Sequence, residues 1–344
     1  MEKIRLGKTN MMVTRLGFGS IPIQRLSEKD AMVVIKRCLE LGINYIDTAN
    51  GYTTSEERIG KVVTGQRDKV IIATKSQART RERIAGHLEL SLKRLNTDYI
   101  DLYQFHNVSD TDSLNAILDS DGPRAVVEEA KRAGVIKHIG VTTHTMDIAK
   151  TLIKSGYFET IMFPFNFMTN EAEKELFPLV KERDMGFIVM KPLSGGMITN
   201  ASLSFKYLWQ FSDIVTIPGI EKVAEIEEIV KIIDGSLEMT ESEKKEMVRW
   251  KKELGDRFCR RCDYCQPCTM GIPISAIMHA AGTLKRTPPS VYLKMLGEPM
   301  EKAANCIKCG ECETRCPYHL PIRDMIEENV KLFQEAKKNY SASK

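Results

Sequence analysis

The sequence predicts an α/β chain in two parts. Residues 1–254 read as a (β/α)8 TIM barrel, and residues 255–344 as a small, mainly α-helical, cysteine-rich domain. Three observations carry this. Short β-branched runs alternate with longer amphipathic segments eight times, the pattern of parallel strands joined by crossovers. The alternation stops near Gly255. Eight of the 9 cysteines crowd between Cys259 and Cys316.

The predicted strands are Thr14–Gly19, Ile43–Asp47, Val70–Thr74, Tyr99–Gln104, Ile136–Val141, Thr160–Phe163, Phe187–Met190 and Asp213–Ile217. Helical spacing predicts helices over Glu28–Leu41, Arg81–Leu95, Pro123–Ala133, Asp147–Ser155, Glu171–Arg183 and Lys222–Ile233. Gly42 and Gly134 supply stop signals before the next strand. Eight such units in about 250 residues is the size of a TIM barrel. An open doubly wound sheet would want a third glycine after Gly17-Phe18-Gly19, and none stands at the right offset. Met1–Val13, with Gly7 at a turn, is expected to form a hairpin closing the barrel's bottom. Cys38, within the first helix, reads as a buried, inert thiol.

Composition narrows the function classes. Charged residues make up 28% of the 344 and the formal net charge is +4, too mild an excess to imply a nucleic-acid or membrane-surface partner. No run reaches the roughly 18 apolar residues of a membrane span, and Met1–Arg5 opens no secretory signal. A cytoplasmic location is expected, and there crowded cysteines point to metal rather than disulfides.

TIM barrels place chemistry at the C-terminal ends of their strands. Asp47 ends the second predicted strand and Tyr52 follows in its loop; Lys75 ends the third and His106 the fourth. Each alone is as well explained by a solvated or structural role. Together they put four ionisable groups on one rim.

Those residues also carry a resemblance. Tyr45–Tyr52, Ala73–Lys75, Tyr103–His106, Gly134–Val141 and Thr216–Gly219 resemble, in order, the aldo-keto reductase family, and most closely its subgroup with a ferredoxin-like C-terminal extension. The resemblance implies reduction of an aldehyde or ketone. Hydride arrives at carbon and Tyr52 protonates the oxygen. A free tyrosine has a pKa near ~10; the Lys75 ammonium would favour its phenolate, Asp47 would hold Lys75 charged, and His106 would orient the carbonyl.

The resemblance further implies a nicotinamide dinucleotide, NADP(H) or NAD(H), on the same rim. The candidates are Gly19, Ser20, Asp47, Thr142, Thr143, Lys191, Leu193, Ser194, Gly195, Pro218 and Gly219. Loops after strands seven and eight often seat phosphate in this fold, although their glycines are equally explained as turns. Four positions depart from the family pattern: Met162 stands for an expected glutamine, Thr143 (beside His144) for an asparagine, Lys191 for an aromatic residue and Glu225 for a basic one. NADPH, NADH and a flavin therefore all stay open.

The tail holds two runs, Cys259-x2-Cys262-x2-Cys265-x2-Cys268 and Cys306-x2-Cys309-x2-Cys312-x3-Cys316-Pro317. The second is the bacterial ferredoxin run, whose fourth cysteine ligates the other cluster in two-cluster proteins. Two [4Fe–4S] clusters are thus expected, one on Cys259, Cys262, Cys265 and Cys316, the other on Cys306, Cys309, Cys312 and Cys268. The x2 spacing before Cys268 departs from the ferredoxin rule. Zinc, which favours two widely separated C-x2-C pairs, is the rival. Ser275–Ala304 is expected to be helical and to pack on the barrel or a partner, and Ile326–Tyr340 to be a solvated helical cap.

Hydride transfer moves two electrons, whereas a cluster moves one. Three readings follow. The first is a carbonyl reductase whose clusters are sensory or structural. The second is an electron-transfer oxidoreductase working through a flavin or a redox partner protein. The third is a nucleotide-binding, redox-responsive module without turnover. The four rim residues favour the first.

Overall fold

In the computed structural model, residues 1–344 are described except 256, 261–263, 317, 343 and 344. Cys262 and Pro317, both singled out above, lie outside the described residues. The chain divides into two compact units, Met1–Met239 and Thr240–Lys344.

In the first unit, β1 (Lys3–Arg5) and β2 (Met12–Thr14) pair antiparallel as the expected hairpin. Eight strands follow: β3 (Phe18–Gly19), β4 (Tyr45–Asp47), β5 (Ile71–Ser76), β6 (Ile100–Phe105), β7 (Ile136–Thr142), β8 (Thr160–Pro164), β9 (Gly186–Met190) and β10 (Ile214–Thr216). They form one sheet in sequence order, with every neighbouring pair parallel. Its two edges join, because Gly17 N donates to Thr216 O and Gly19 N to Pro218 O, each at 2.9 Å. A Cβ on Gly19 would sit 2.6 Å from that Pro218 oxygen, so only glycine lets the first strand approach closely enough to close the barrel. Gly7 turns the hairpin at φ +52°, and Leu6 and Val13 enter an apolar cluster with Tyr45, Ala73, Leu102, Ile188 and Val215. The N-terminal hairpin plugs the bottom and leaves the opposite rim to the strand ends.

The crossovers carry α1 (Glu28–Glu40), α2 (Ser55–Val63), α3 (Arg81–Leu95), α4 (Thr111–Leu118), α5 (Pro123–Arg132), α6 (Met146–Ser155), α7 (Ala172–Glu175), α8 (Phe177–Glu182), α9 (Ala201–Leu208) and α10 (Val223–Ile233). Local signals set several ends. Ser27 and Thr80 accept from backbone amides as N-caps, and Gly156 ends α6 at φ +77°. The single helix expected over Glu171–Arg183 is two, because Pro178 starts α8 and lacks the amide needed to continue α7. The reading of the sequence did not name α2. That helix buries Ser55, Glu56, Arg58 and Gly60 along with its apolar residues, which hides its hydrophobic period. Cys38 is fully buried, and burial pushes its thiol up to about 12.

The second unit contains α11 (Glu241–Gly255), α12 (Ile274–Met278), α13 (Ala280–Arg286), α14 (Pro289–Ala304), α15 (Glu311–Thr314) and α16 (Ile322–Ala342). The expected boundary at 254/255 would leave α11 with the barrel; it falls instead in the second unit. One further expectation needs correction. The 275–304 insert is helical as expected, and within its unit Ile277, Ala280, Tyr292, Leu296, Met300 and Ala303 share a core with Ile322, Met325, Ile326 and Phe333. The C-terminal helix is therefore no solvated cap. Its charged face is exposed while its apolar stripe builds the unit's core. Among the described residues, no helix is long and apolar enough to cross a membrane.

Candidate functional site

Three neighbouring strands bring the four rim residues together. Parallel pairing sets Asp47 of β4 against Ala73 of β5 and Lys75 against Gln104 of β6. The Lys75 ammonium meets Oδ1 of Asp47 and donates to the Thr48 carbonyl at 2.8 Å. It is also hydrogen-bonded to Tyr52 and lies 5.1 Å from the centre of its ring. The Tyr52 and His106 rings meet edge-on, their centroids 5.8 Å apart. The expected convergence of Asp47, Tyr52, Lys75 and His106 is what the structure shows.

The electrostatics follow from burial. Lys75 and Asp47 are 2% and 3% exposed. Burial raises the Asp47 carboxyl above the usual range, and Lys75 pulls it back only in part. Burial alone would lower Lys75, but Asp47 and then Tyr52 outweigh it and raise the ammonium above its ordinary value. His106 is held well below the usual imidazole range by burial, with Lys75 and Arg79 adding repulsion. The site thus joins a retained cation to a neutral imidazole.

Several supporting residues carried no signal as such in the sequence. Gln104 Nε2 donates to Oδ2 of Asp47 at 3.2 Å. Arg94 of α3 donates to the Asn50 carbonyl at 3.0 Å and reaches buried Glu56, which accepts from Thr74 at 2.7 Å. Asn50 itself donates to the His87 carbonyl and to Ser91, each at 3.2 Å. The loop carrying Tyr52 is thereby pinned to the strand and helix on either side of Lys75. Arg79 anchors the next loop, donating to the His106 carbonyl at 2.7 Å.

The proposed dinucleotide contacts lie on the same strand ends. Ser20 donates to the Asp47 carbonyl at 2.7 Å and accepts from Ser55. Thr142 and Thr143 are buried at the end of β7, and Thr142 Oγ1 accepts from Asn107 N. After β9, Lys191, Ser194, Gly195 and Gly196 all adopt positive φ. In this loop Ser194 Oγ is buried with no hydrogen-bond partner among the described residues, while Leu193 and Gly195 are half-buried. Pro218 is buried and Gly219 exposed where the barrel closes. Of the departures, Met162 joins the apolar cluster inside the barrel, so no amide stands there. Lys191 is partly exposed, and its carbonyl accepts from Asn166 at 2.9 Å. Glu225 turns back to accept from the amides of Glu221 and Lys222 at 2.7 and 3.0 Å, capping α10.

In the second unit the described cysteines line two cavities. Cys268, Cys306, Cys309 and Cys312 line one, and Cys259, Cys265 and Cys316 line another. Ile274 borders both. A single zinc ion draws its sulfurs to about 2.3 Å from one point. Among the described residues no group of three or more His, Cys, Asp or Glu side chains is gathered as for one ion.

Comparison with known proteins agrees with this geometry. A model of the aldo/keto reductase family matches residues 15–206, more than half of the chain, and a 4Fe-4S dicluster domain model matches residues 258–321. The chain is 32% identical over 233 residues to the aldo-keto reductase YhdN of Bacillus subtilis, covering 62% of this chain and 68% of that one. It is 28% identical over 232 residues to the NADH-specific methylglyoxal reductase of Escherichia coli, covering 58% and 69%. Among solved structures, the holo form of aldo-keto reductase AKR11C1 from Bacillus halodurans superposes with a TM-score of 0.62 at 26% identity, covering 72% of this chain and 96% of that one. An aldo-keto reductase from Klebsiella pneumoniae in complex with NADPH shares the fold with a TM-score of 0.61 at 18% identity, covering 73% and 95%. With the closed barrel and its clustered rim residues, these matches make the chain an oxidoreductase that belongs to the aldo/keto reductase family and carries a 4Fe-4S dicluster domain.

Proposed function

We propose that this protein reduces a small aldehyde or ketone, with Tyr52 donating the proton and a nicotinamide dinucleotide supplying the hydride, and that its C-terminal domain holds two [4Fe–4S] clusters. The observation that carries the catalytic part is the contact of Lys75 with both Asp47 and Tyr52. As the substrate oxygen gains negative charge, Tyr52 gives it a proton and becomes phenolate. The Lys75 ammonium stabilises that phenolate, and in a buried site such stabilisation is worth far more than in water. Asp47 keeps Lys75 charged and placed. His106, neutral at physiological pH, offers an N–H to the same oxygen and fixes its direction.

The dinucleotide's phosphates suit the loop after β9, where positive-φ residues expose backbone amides and Ser194 offers an unused hydroxyl. The bacterial relative named for NADH and the Glu225 carboxylate at the start of α10 both favour NADH over NADPH.

The cluster assignment rests on the two cavities. They group Cys268 with Cys306, Cys309 and Cys312, and Cys316 with Cys259 and Cys265, the crossed pattern of two-cluster ferredoxins. Such clusters supply single-electron transfer when bound.

The test is anaerobic purification, an iron and sulfide count, and NADH and NADPH oxidation against a panel of aldehydes and ketones. Turnover that Tyr52→Phe abolishes and about eight irons per chain support the proposal. Turnover that survives Tyr52→Phe would refute the role of Tyr52, and zinc without sulfide would refute the clusters.

A further inference from the structure

Inside the barrel, Gln104 Oε1 and Thr160 Oγ1 are buried with no hydrogen-bond partner among the described residues. Both residues are fully buried, and buried polar atoms are normally paired because leaving them unpaired is costly. The strand register puts the two side by side. Lys75 pairs with Gln104, Gln104 with Gly140, and Gly140 with Thr160. Residues paired in this way point to one face of a sheet, here the interior. Gly140, between them, has no side chain. A Cβ there would clash with Thr160 Oγ1 and sit 3.1 Å from Gln104 Cγ. The two side chains therefore lean over the same glycine, and the hydroxyl is the end of Thr160 turned toward it.

Chemistry fixes the direction of a link between them. An ionised carboxylate only accepts, so the Gln104 amide must present its NH2 end to Asp47, as it does at 3.2 Å. Its carbonyl end then needs a donor, and a threonine hydroxyl can donate. A second hydroxyl, that of Tyr45, is also buried without a partner, in the cluster of Ala73, Leu102 and Met162. The atoms nearest Gly140, however, belong to Thr160, Gln104 and Leu102.

We infer that Thr160 is a positioning residue for the reduction: its hydroxyl, directly or through one water, donates to Gln104 Oε1 and so holds the amide's NH2 end on Asp47. This rests on the reading that Asp47 and Lys75 serve Tyr52. Thr160 touches neither substrate nor cofactor. It acts through Gln104, which otherwise has a free carbonyl end and can turn away from the carboxylate. Gly140 is the residue that makes room for the link, because any side chain there would displace the hydroxyl.

The test is a double-mutant cycle on the full iron-loaded chain. Thr160→Val keeps the shape and removes the hydroxyl; Thr160→Ser keeps the hydroxyl. With NADH and the carbonyl compound turned over fastest, Thr160→Val should lower kcat/KM by roughly tenfold. Thr160→Ser should stay within about twofold, and the Kd for NADH should be unchanged in both. In a Gln104→Leu background, Thr160→Val should cost nothing further, because its partner is already gone. Chemical denaturation gives a second reading that needs no turnover. In Gln104→Leu the Thr160 hydroxyl is stranded, so Thr160→Val should raise the midpoint; in the parent it strands Gln104 Oε1 and should lower the midpoint. An equal fall of kcat/KM in both backgrounds, a serine variant as slow as the valine, or a midpoint raised in both backgrounds overturns the inference. So does coupling of Gln104→Leu to Tyr45→Phe rather than to Thr160→Val. Coupled midpoints with an unmoved kcat/KM would make the link structural and overturn the positioning role. A parent that reduces no carbonyl refutes the reductase reading instead, and the midpoints still decide whether Thr160 and Gln104 are joined.

Discussion

Gln104 donates to Oδ2 of Asp47 at 3.2 Å while Oδ1 of the same carboxylate meets the ammonium of Lys75. Both carboxylate oxygens are thereby satisfied in a site almost closed to water. A hydrogen bond to a charged group is worth roughly 1.5–3 kcal/mol. Gln104→Leu should therefore weaken Asp47's hold on Lys75 and lower kcat/KM by roughly 10- to 100-fold. Burial already raises Asp47 and the Gln104 bond lowers it, so the acid limb of the kcat/KM profile should also move to higher pH. A fall in rate with an unmoved acid limb would show that Gln104 acts only by packing.

Lys75→Met leaves Asp47 buried without its cation. Breaking a buried pair costs about 3–5 kcal/mol, which chemical denaturation should reveal along with loss of turnover. The sign with pH is fixed by Lys75, whose folded value is raised by its partners. Its stabilising contribution is complete below the ordinary lysine value near ~10.4 and is lost as pH rises through the folded value. The parent protein should therefore lose stability in that alkaline window, and Lys75→Met should not share the loss.

His106 is lowered, so its neutral form persists well into acid. The stability tied to this neutrality is present above the ordinary histidine value near ~6.5 and falls as pH drops below it, because the unfolded chain takes up the proton first. NMR should place the imidazole titration well below ~6.5, and His106→Gln should remove that part of the acid dependence of stability. An imidazole titrating at or above the ordinary value would contradict the burial shown here.

Arg94 fixes the Asn50 carbonyl, two residues before Tyr52. Arg94→Ala should leave the cofactor Kd nearly unchanged and lower kcat by roughly tenfold, about 1.4 kcal/mol of lost positioning. Arg94→Lys should recover only part of it, since a lysine is a point charge without the guanidinium fork. Equal loss in both variants, accompanied by a lower Tm, would indicate a merely structural role.

Phe333 of α16 is 8% exposed and packs on Tyr292, with ring centroids 5.7 Å apart. Phe333→Ala should destabilise the second unit by roughly 3–5 kcal/mol and lower cluster retention, read as iron per chain after anaerobic dialysis. A solvated cap would tolerate the change within about 0.5 kcal/mol.

The sequence by itself determined what depends on local pattern. Strand and helix periodicity placed all eight barrel strands. Strand ends placed Asp47, Lys75 and His106 on one rim, because parallel strands of a barrel share a direction. Cysteine spacing marked the metal-binding tail. Only the tertiary structure decided what depends on which surfaces meet. Gln104 reads as one more strand residue until β6 lies beside β5, and Arg94 as a solvated helix charge until α3 packs against the Asn50 loop. The apolar stripe of Ile322–Phe333 looks too sparse to matter until α12–α14 cover it. The placing of Cys316 beside Cys265, by contrast, was already legible in the ferredoxin spacing of the second run, and the two cavities group the described cysteines in that way.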